Sequence, residues 1–213
     1  GVHHLMAPGG GRGILPGGVP GTPRAHVVVI GGGVAGTNAA EMAVGLGAHV
    51  TVIDTSLPRL RQLDERFAGR IDTRVSTRTT IAEAVASADL VIGSVLIPGS
   101  AAPKLVTLEM VENMRAGSVL VDIAVDQGGC FEGTRPTTYS EPTYRVHGSV
   151  YYAVANMPGA VPLTSTVALT NATLPYTLAL AEHGTDAALE RDPALGAGLS
   201  TARGEIIDPR ISL

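Results

Sequence analysis

The sequence predicts an α/β fold built on a doubly wound parallel sheet, and three observations support this. Short apolar strands alternate with helical patterns over residues 26–125. The strands consist mainly of Val, Ile and Leu, which is typical of parallel strands buried on both faces. The connections are short, as in a sheet with right-handed crossovers. Because aromatic residues make up only 3% of the chain, the core must depend on aliphatic packing.

Apolar periodicity and turn residues set the expected bounds of these elements. Ser56 is expected to cap the second helix, with Pro58 in its first turn. The predicted strands are His26–Ile30, His49–Ile53, Ile71–Val75, Leu90–Val95 and Ser118–Val125. The predicted helices between them are Val34–Leu46, Pro58–Phe67, Thr80–Ala88 and Thr107–Met114.

The last third of the chain changes character. Tyr151–Met157 is predicted as a further strand, and Thr164–Glu182 as a long helix interrupted by Pro175. Since this helix has many apolar residues and few charges, we expect another domain or a neighbouring subunit to cover it. The sequence from His183 onwards is polar and has no clear period.

Composition excludes several classes of protein. The net charge is −4 and the 15 Lys and Arg residues are scattered, which argues against a nucleic-acid partner. We expect no membrane span, because no apolar run approaches the roughly 18 residues required. The Gly- and Pro-rich start is not typical of a signal peptide.

The single cysteine, Cys130, fits a reducing compartment, and we expect a cytoplasmic protein. No metal site is expected, because nothing completes a zinc ligand set around His3 and His4.

A glycine motif follows the first predicted strand and opens a helix. Gly31 permits the tight turn, Gly33 lets the backbone approach a pyrophosphate, and Gly36 lets helix and strand pack closely. Val34 and Ala35 lie in the first helical turn, whose N–H groups and positive dipole end attract phosphate. This context predicts a dinucleotide-binding Rossmann domain, although the same glycine loop also occurs in methyltransferases.

An acidic residue ends the second predicted strand. Asp54 is placed to accept hydrogen bonds from the adenosine ribose hydroxyls and to repel a 2′-phosphate, which favours NAD over NADP. The alternative is a solvated surface carboxylate. Arg59 follows in the next helix, and the sequence leaves two possibilities open: it shields the adenine ribose or it lies in solvent.

Several further stretches resemble the alanine dehydrogenase family, and the related transhydrogenase nucleotide-binding subunit shares parts of the pattern. They run almost continuously from Gly10 to His183 and include GGRGILPGGVPG, VVVIGGGVAGTNAAEMA, ADLVIGSVLIPGSAAPKLVT, VDIAVDQGGC and VANMPGAVP. The last two are the most specific. The resemblance also makes a methyltransferase a poor alternative, since that class has no use for them.

The resemblance implies a role for further residues around the cofactor. Ser76 would lie near the adenosine, and Val95 and Leu96 would line the nicotinamide side. Asn156 and Met157 would close the cleft over nicotinamide and substrate. All would gather at the carboxyl ends of the strands, where open α/β sheets bind ligands.

Two residues near the fifth predicted strand are also candidates. Ile123 and Asp126 come from the end of that strand, and Asp126 matches a catalytic-site aspartate of the family. Its carboxylate could hold a cationic nicotinamide or a carbinolamine, whereas the alternative is an Asx turn. Cys130 invites a nucleophile interpretation, but without an evident histidine partner we expect a buried thiol.

The resemblance implies NAD-dependent, reversible oxidative deamination of L-alanine to pyruvate and ammonia by a hexamer. We expect residues 1–20 to be a connection from an N-terminal substrate domain, 21–160 the NAD-binding domain, and 161–213 a segment returning to the substrate domain. The family's substrate-binding lysine and catalytic histidine have no matching positions here. This chain alone is therefore expected to bind cofactor and turn over poorly. A noncatalytic NAD-binding module and a transhydrogenase subunit remain alternatives.

Overall fold

A computed structural model describes residues 1–95 and 102–208 of the chain. The chain divides into two compact units, Gly1–Ala155 and Asn156–Leu213. The N-terminal segment 1–20 lies in the first unit, where Leu5 is fully buried and Arg12 binds Asp89 at 2.7 Å. The predicted boundaries at residues 20 and 160 remain predictions.

The described residues of the first unit form a seven-stranded sheet with helices between its strands. The strands are β1 His26–Ile30, β2 His49–Asp54, β3 Asp72–Val75, β4 Leu90–Gly93, β5 Val119–Asp122, β6 Thr143–Val146 and β7 Ser149–Tyr152. The helices are α1 Val2–Leu5, α2 Val34–Gly45, α3 Leu57–Phe67, α4 Arg78–Ser87 and α5 Leu108–Glu112. Ser56 caps α3 as predicted, accepting a hydrogen bond from the Arg59 N–H.

The strand order is β3-β2-β1-β4-β5-β7-β6, in which only β6 runs antiparallel to its neighbour. Strand β1 lies at the centre of the doubly wound half, paired with β2 on one side and β4 on the other. Its residues Val27–Ile30 are buried, as continuous apolar strands covered on both faces should be. The order reverses between β1 and β4, so a ligand-binding crevice is expected at their carboxyl ends.

The predicted α/β class and the alternation of strands and helices through β5 are confirmed, with small shifts of the bounds. The strand predicted over Tyr151–Met157 is displaced, because the observed strand is Ser149–Tyr152 and Met157 begins a 3₁₀ turn. The prediction also missed β6. A tight turn at His147 and Gly148, both with positive φ, pairs β6 with β7 and sets the register.

In the second unit, the predicted long helix is confirmed as α6 Pro162–His183. None of its residues is buried within the described chain, and Leu163 and Leu169 are 82% and 65% exposed. The segment without a clear period forms two short helices, α7 Thr185–Arg191 and α8 Pro193–Gly196, and a small hairpin of β8 Thr201–Ala202 and β9 Glu205–Ile206. Among the described residues, no helix has the length and apolar character needed to cross a membrane.

Candidate functional site

A cleft of about 410 Å³ opens at the carboxyl edge of the sheet, where the strand order reverses. Its lining includes five of the residues predicted from the sequence to bind cofactor, namely Gly31, Gly33, Asp54, Ser76 and Val95. These residues follow or end β1, β2, β3 and β4. The fold therefore brings residues that are distant in sequence to one surface.

The glycine turn connects β1 to α2 with little free space. Gly31 has a φ of +98°, a left-handed conformation that side chains disfavour, and its N–H donates to the Ile53 carbonyl at 2.8 Å. A Cβ on Gly36 would overlap the Gly31 carbonyl oxygen and lie 2.6 Å from the Ser94 Oγ. Glycine at both positions is needed for the helix to begin this close to the strand.

The start of α2 faces the cleft as an open cradle. Gly33 is the N-cap and has no side-chain cap within the described chain, and Val34 and Ala35 follow it, exposed. The first N–H groups of a helix have no intrahelical partner and carry a partial positive charge. A Cβ built on Gly33 would meet nothing within 4 Å, so the backbone itself faces open space. An anionic pyrophosphate fits this arrangement.

Asp54 is half-buried at the end of β2 and holds the glycine turn. Its Oδ2 accepts a hydrogen bond from the Gly32 N–H at 2.7 Å, and its Oδ1 accepts one from the Ser56 N–H at 2.8 Å. Each carboxylate oxygen can accept a second bond. Asp54 can therefore bind ribose hydroxyls while it supports the turn.

Arg59 contacts the same turn from α3. Its Nε donates to the Gly32 carbonyl at 2.6 Å and its Nη2 to the Thr37 Oγ1 at 2.7 Å. Of the two possibilities left open by the sequence, free exposure to solvent is wrong, because the side chain is half-buried and bonded to the turn. Together Asp54 and Arg59 bind the N–H and the carbonyl of Gly32, so any cofactor role of Arg59 includes shaping this turn.

The remaining cleft walls come from the segments after β3 and β4. Ser76 is partly buried, and its N–H donates to the Asp54 carbonyl at 2.9 Å. Ser94, which sequence reasoning missed, donates from Oγ to the Gly31 carbonyl at 2.8 Å. Its position immediately before Val95 was the available clue. Leu96, the other residue predicted here, lies outside the described residues.

The segment after β5 differs from the sequence prediction in one respect. Asp126 was placed at the end of that strand, but the strand ends at Asp122 and Asp126 lies, exposed, in a 3₁₀ turn. The predicted strand ran too far because Val125 is apolar, although it is buried in the turn. Ile123 does follow β5 directly, and its N–H donates to the Gly93 carbonyl at 2.9 Å.

Cys130 is fully buried beside this segment, and its Sγ donates to the Val95 carbonyl at 3.5 Å. Burial, followed by the negative charge of Asp122, raises the pKa of its thiol to about 11. A thiol with so high a pKa is a poor nucleophile near neutral pH. The structure thus supports a buried thiol and not a nucleophile.

Asn156 and Met157 begin the second unit, and their predicted contacts with nicotinamide remain predictions. The described residues contain no group of three or more metal-ligating side chains.

The fold, the glycine turn and the acidic residue at the end of β2 together define a dinucleotide-binding Rossmann domain. The family described as "Alanine dehydrogenase/PNT, C-terminal domain" matches residues 1–209. The chain belongs to this family and is its C-terminal, NAD-binding domain.

Relatives of known identity agree with this assignment. An alanine dehydrogenase of Mycobacterium tuberculosis is 58% identical over 212 residues, which cover 100% of this chain and 57% of the relative. An alanine dehydrogenase of Bacillus subtilis is 58% identical over 97% of this chain and 55% of its own length. The chain thus spans little more than half the length of these relatives.

Solved structures show the same relationship. An L-alanine dehydrogenase structure superposes with a TM-score of 0.92 and 52% identity, over 98% of this chain and 58% of that one. A transhydrogenase from Sinorhizobium meliloti superposes with a TM-score of 0.61 and 34% identity, over 68% of this chain and 41% of that one. The comparison favours the dehydrogenase branch of the family.

Proposed function

We propose that the protein containing this chain is an NAD-dependent alanine dehydrogenase. It converts L-alanine, NAD⁺ and water reversibly to pyruvate, ammonium, NADH and a proton. The observation that carries the proposal is the cleft at Gly31, Gly33 and Asp54, in a chain 58% identical to alanine dehydrogenases. NAD supplies the acceptor for the hydride that leaves the α-carbon of alanine.

The contribution of this chain is binding and orientation. The N–H groups at the start of α2 bind the pyrophosphate, and Gly33 keeps the approach open. Asp54 accepts hydrogen bonds from the adenosine ribose and disfavours a 2′-phosphate by charge repulsion. Ser76 borders the adenosine, while Val95, Leu96 and Ile123 flank the nicotinamide.

Asp126 is the catalytic-site residue we assign to this chain. It is exposed in the turn after β5 and is followed by Gly128 and Gly129, both of which have positive φ. Its carboxylate stabilises the positive charge that develops when the α-carbon loses hydride and the amine becomes an iminium. Water then adds to the iminium with loss of a proton, which removes the charge and gives the carbinolamine that releases ammonia. Asn156 and Met157 complete the cleft in this proposal.

The groups that bind substrate and move its protons lie outside this chain in the proposal. Lys104 is the single lysine of the sequence, and its ammonium donates to the Gly128 carbonyl, so it supports the loop beside Asp126. We infer that a preceding substrate domain provides the missing groups and covers the exposed apolar residues of α6. Hydrogen exchange tests this: α6 amides should be better protected in the full-length protein than in residues 1–213 alone.

The proposed assembly rests on the resemblance to the family, and the proposed location on the single cysteine of the chain. We propose a cytoplasmic hexamer with small-molecule substrates and no nucleic-acid or membrane partner. Light scattering of the full-length protein tests the hexamer. A particle mass corresponding to a monomer or dimer would contradict it.

Turnover of the full-length protein tests the function. NADH formation at 340 nm should require L-alanine and NAD, and the reverse reaction should require pyruvate, ammonium and NADH. Glycine and L-serine serve as competing substrates, and residues 1–213 alone should be weakly active or inactive. NADH binding without turnover in the full-length protein would instead favour a noncatalytic NAD-binding module, and hydride exchange between NADH and an NADP analogue would favour a transhydrogenase.

A further inference from the structure

Asp122 is a fully buried carboxylate at the carboxyl end of β5, next to the proposed site. A buried carboxylate is costly unless its oxygens accept hydrogen bonds. Here both oxygens do so. Oδ1 accepts from the Ala124 N–H at 3.2 Å and the Cys130 N–H at 3.1 Å, and Oδ2 accepts from the Phe131 N–H at 3.3 Å and the Thr134 hydroxyl at 2.7 Å.

All four donors belong to one segment, residues 123–134, which we call the Asp122 loop. This loop contains Ile123 and Asp126, the residues assigned to the nicotinamide side and to catalysis. Ala124 and Cys130, which share one oxygen, lie on either side of Asp126 in the sequence. The carboxylate therefore closes the backbone into the turn that presents Asp126.

The loop is shaped to admit this carboxylate. Gly129 has a φ of +76°, and a Cβ at that position would overlap the Asp122 Oδ2 and lie near Thr134. The loop is also tied to the segment after β4. The Ala102 N–H donates to the Gln127 carbonyl at 2.9 Å, and the Cys130 thiol to the Val95 carbonyl. A change at Asp122 would thus move the loop and the wall around Val95.

We propose that Asp122 is a positioning residue for the alanine dehydrogenase reaction. Being buried, it does not touch substrate or cofactor, and it acts by fixing the Asp122 loop so that Asp126 and Ile123 face the nicotinamide. This inference rests on the proposed function and adds a residue to it.

The experiment compares variants of the full-length protein. Asp122→Asn keeps the size of the side chain but replaces one acceptor oxygen by an NH2 group, which cannot accept hydrogen bonds from the N–H donors around it. A displacement of about 1 Å is enough to lower kcat about 100-fold, and we expect that loss with the Kd for ADP-ribose unchanged within about threefold. Asp89→Asn is the matched control, because Asp89 is 2% exposed and accepts the His26 N–H at the opposite edge of the sheet. It should lower stability and leave kcat unchanged.

A second pair separates positioning from folding. Thr134→Val removes one hydrogen bond to Asp122 and should lower kcat about 10-fold. Thr134→Ser keeps the hydroxyl and should have the kcat of the unaltered protein. Equal kcat values for Asp122→Asn and Asp89→Asn would overturn the proposal. If Asp122→Asn does not fold, equal kcat values for the two Thr134 variants overturn it.

The unaltered protein is assayed first. Absence of alanine turnover there would overturn the proposed function and the positioning role together. Turnover in the unaltered protein, without the expected differences among the variants, would overturn the positioning role alone.

Discussion

Replacing Gly33 by alanine should weaken NADH binding without unfolding the protein. Gly33 has a φ of −66° and a ψ of −165°, which alanine adopts readily, and a Cβ there meets nothing within 4 Å. An alanine N-cap costs roughly 1 kcal/mol or less compared with glycine, which corresponds to a fall in Tm of about 2–4 °C for a chain of this size. The new methyl group, however, lies on the open face where the pyrophosphate approaches. Losing one close backbone contact should cost about 1.4 kcal/mol or more, a tenfold rise in Kd.

The assay is a titration with NADH followed by nicotinamide fluorescence, with Tm measured on the same samples. Gly45→Ala is the matched control, because Gly45 lies at the far end of the same helix and a Cβ there also meets nothing within 4 Å. This control should keep the Kd and raise stability slightly. An unchanged Kd in Gly33→Ala would refute the assignment of the pyrophosphate to the start of α2.

Three further predictions concern stability and reactivity. Gly36→Ala should lower the free energy of unfolding by about 1–3 kcal/mol, because its Cβ overlaps the Gly31 carbonyl; an unchanged urea midpoint would show that the turn is not tightly packed. Cys130, with its pKa raised to about 11 by burial, should resist iodoacetamide at pH 8 and react after unfolding in guanidinium; rapid labelling of the folded protein would contradict its burial. Burial, with the charge of His49, lowers the pKa of His26. As the pH falls, His26 therefore takes up a proton in the unfolded chain before it does so in the folded chain. Its contribution to the free energy of unfolding is fully present above about pH 6.5 and decreases below that pH. His26→Gln should flatten this fall in Tm, and equal slopes for both proteins would exclude His26 as its source.

Sequence reasoning succeeded where the pattern was local. Gly31, Gly33 and Gly36 lie within six residues of one another, directly after a β-branched strand, and Asp54 ends the next strand. A strand, a glycine turn and a helix in this order commonly form a nucleotide-binding unit, so these residues alone predict the position of the crevice. The resemblance to a family added Ser76 and Val95, which the strand pattern alone does not mark as cofactor-binding residues.

The features that the sequence did not predict depend on contacts between distant segments. β6 was not predicted because it is a short, partly exposed edge strand. Its pairing with β7 depends on the turn at His147 and Gly148. Asp122 was not singled out from the sequence, where it lies inside the predicted strand Ser118–Val125, whereas Asp126 was chosen on its match to the family. The role of Asp122 depends on hydrogen-bond donors from residues 124–134, and such hydrogen bonds produce no periodic pattern in the sequence.

The most direct test of the cofactor site is a comparison of NADH and NADPH binding by the unaltered full-length protein and by Asp54→Ala, followed by nicotinamide fluorescence. We predict that NADH binds at least about 10-fold more tightly than NADPH, a difference of about 1.4 kcal/mol, and that Asp54→Ala narrows this ratio. The ratio of the two Kd values is the informative quantity, because removing the hydrogen bond from the Gly32 N–H to Asp54 weakens the binding of both dinucleotides. Equal affinity for the two dinucleotides in the unaltered protein, or the same preference in Asp54→Ala, would contradict the role of Asp54 in selecting NAD.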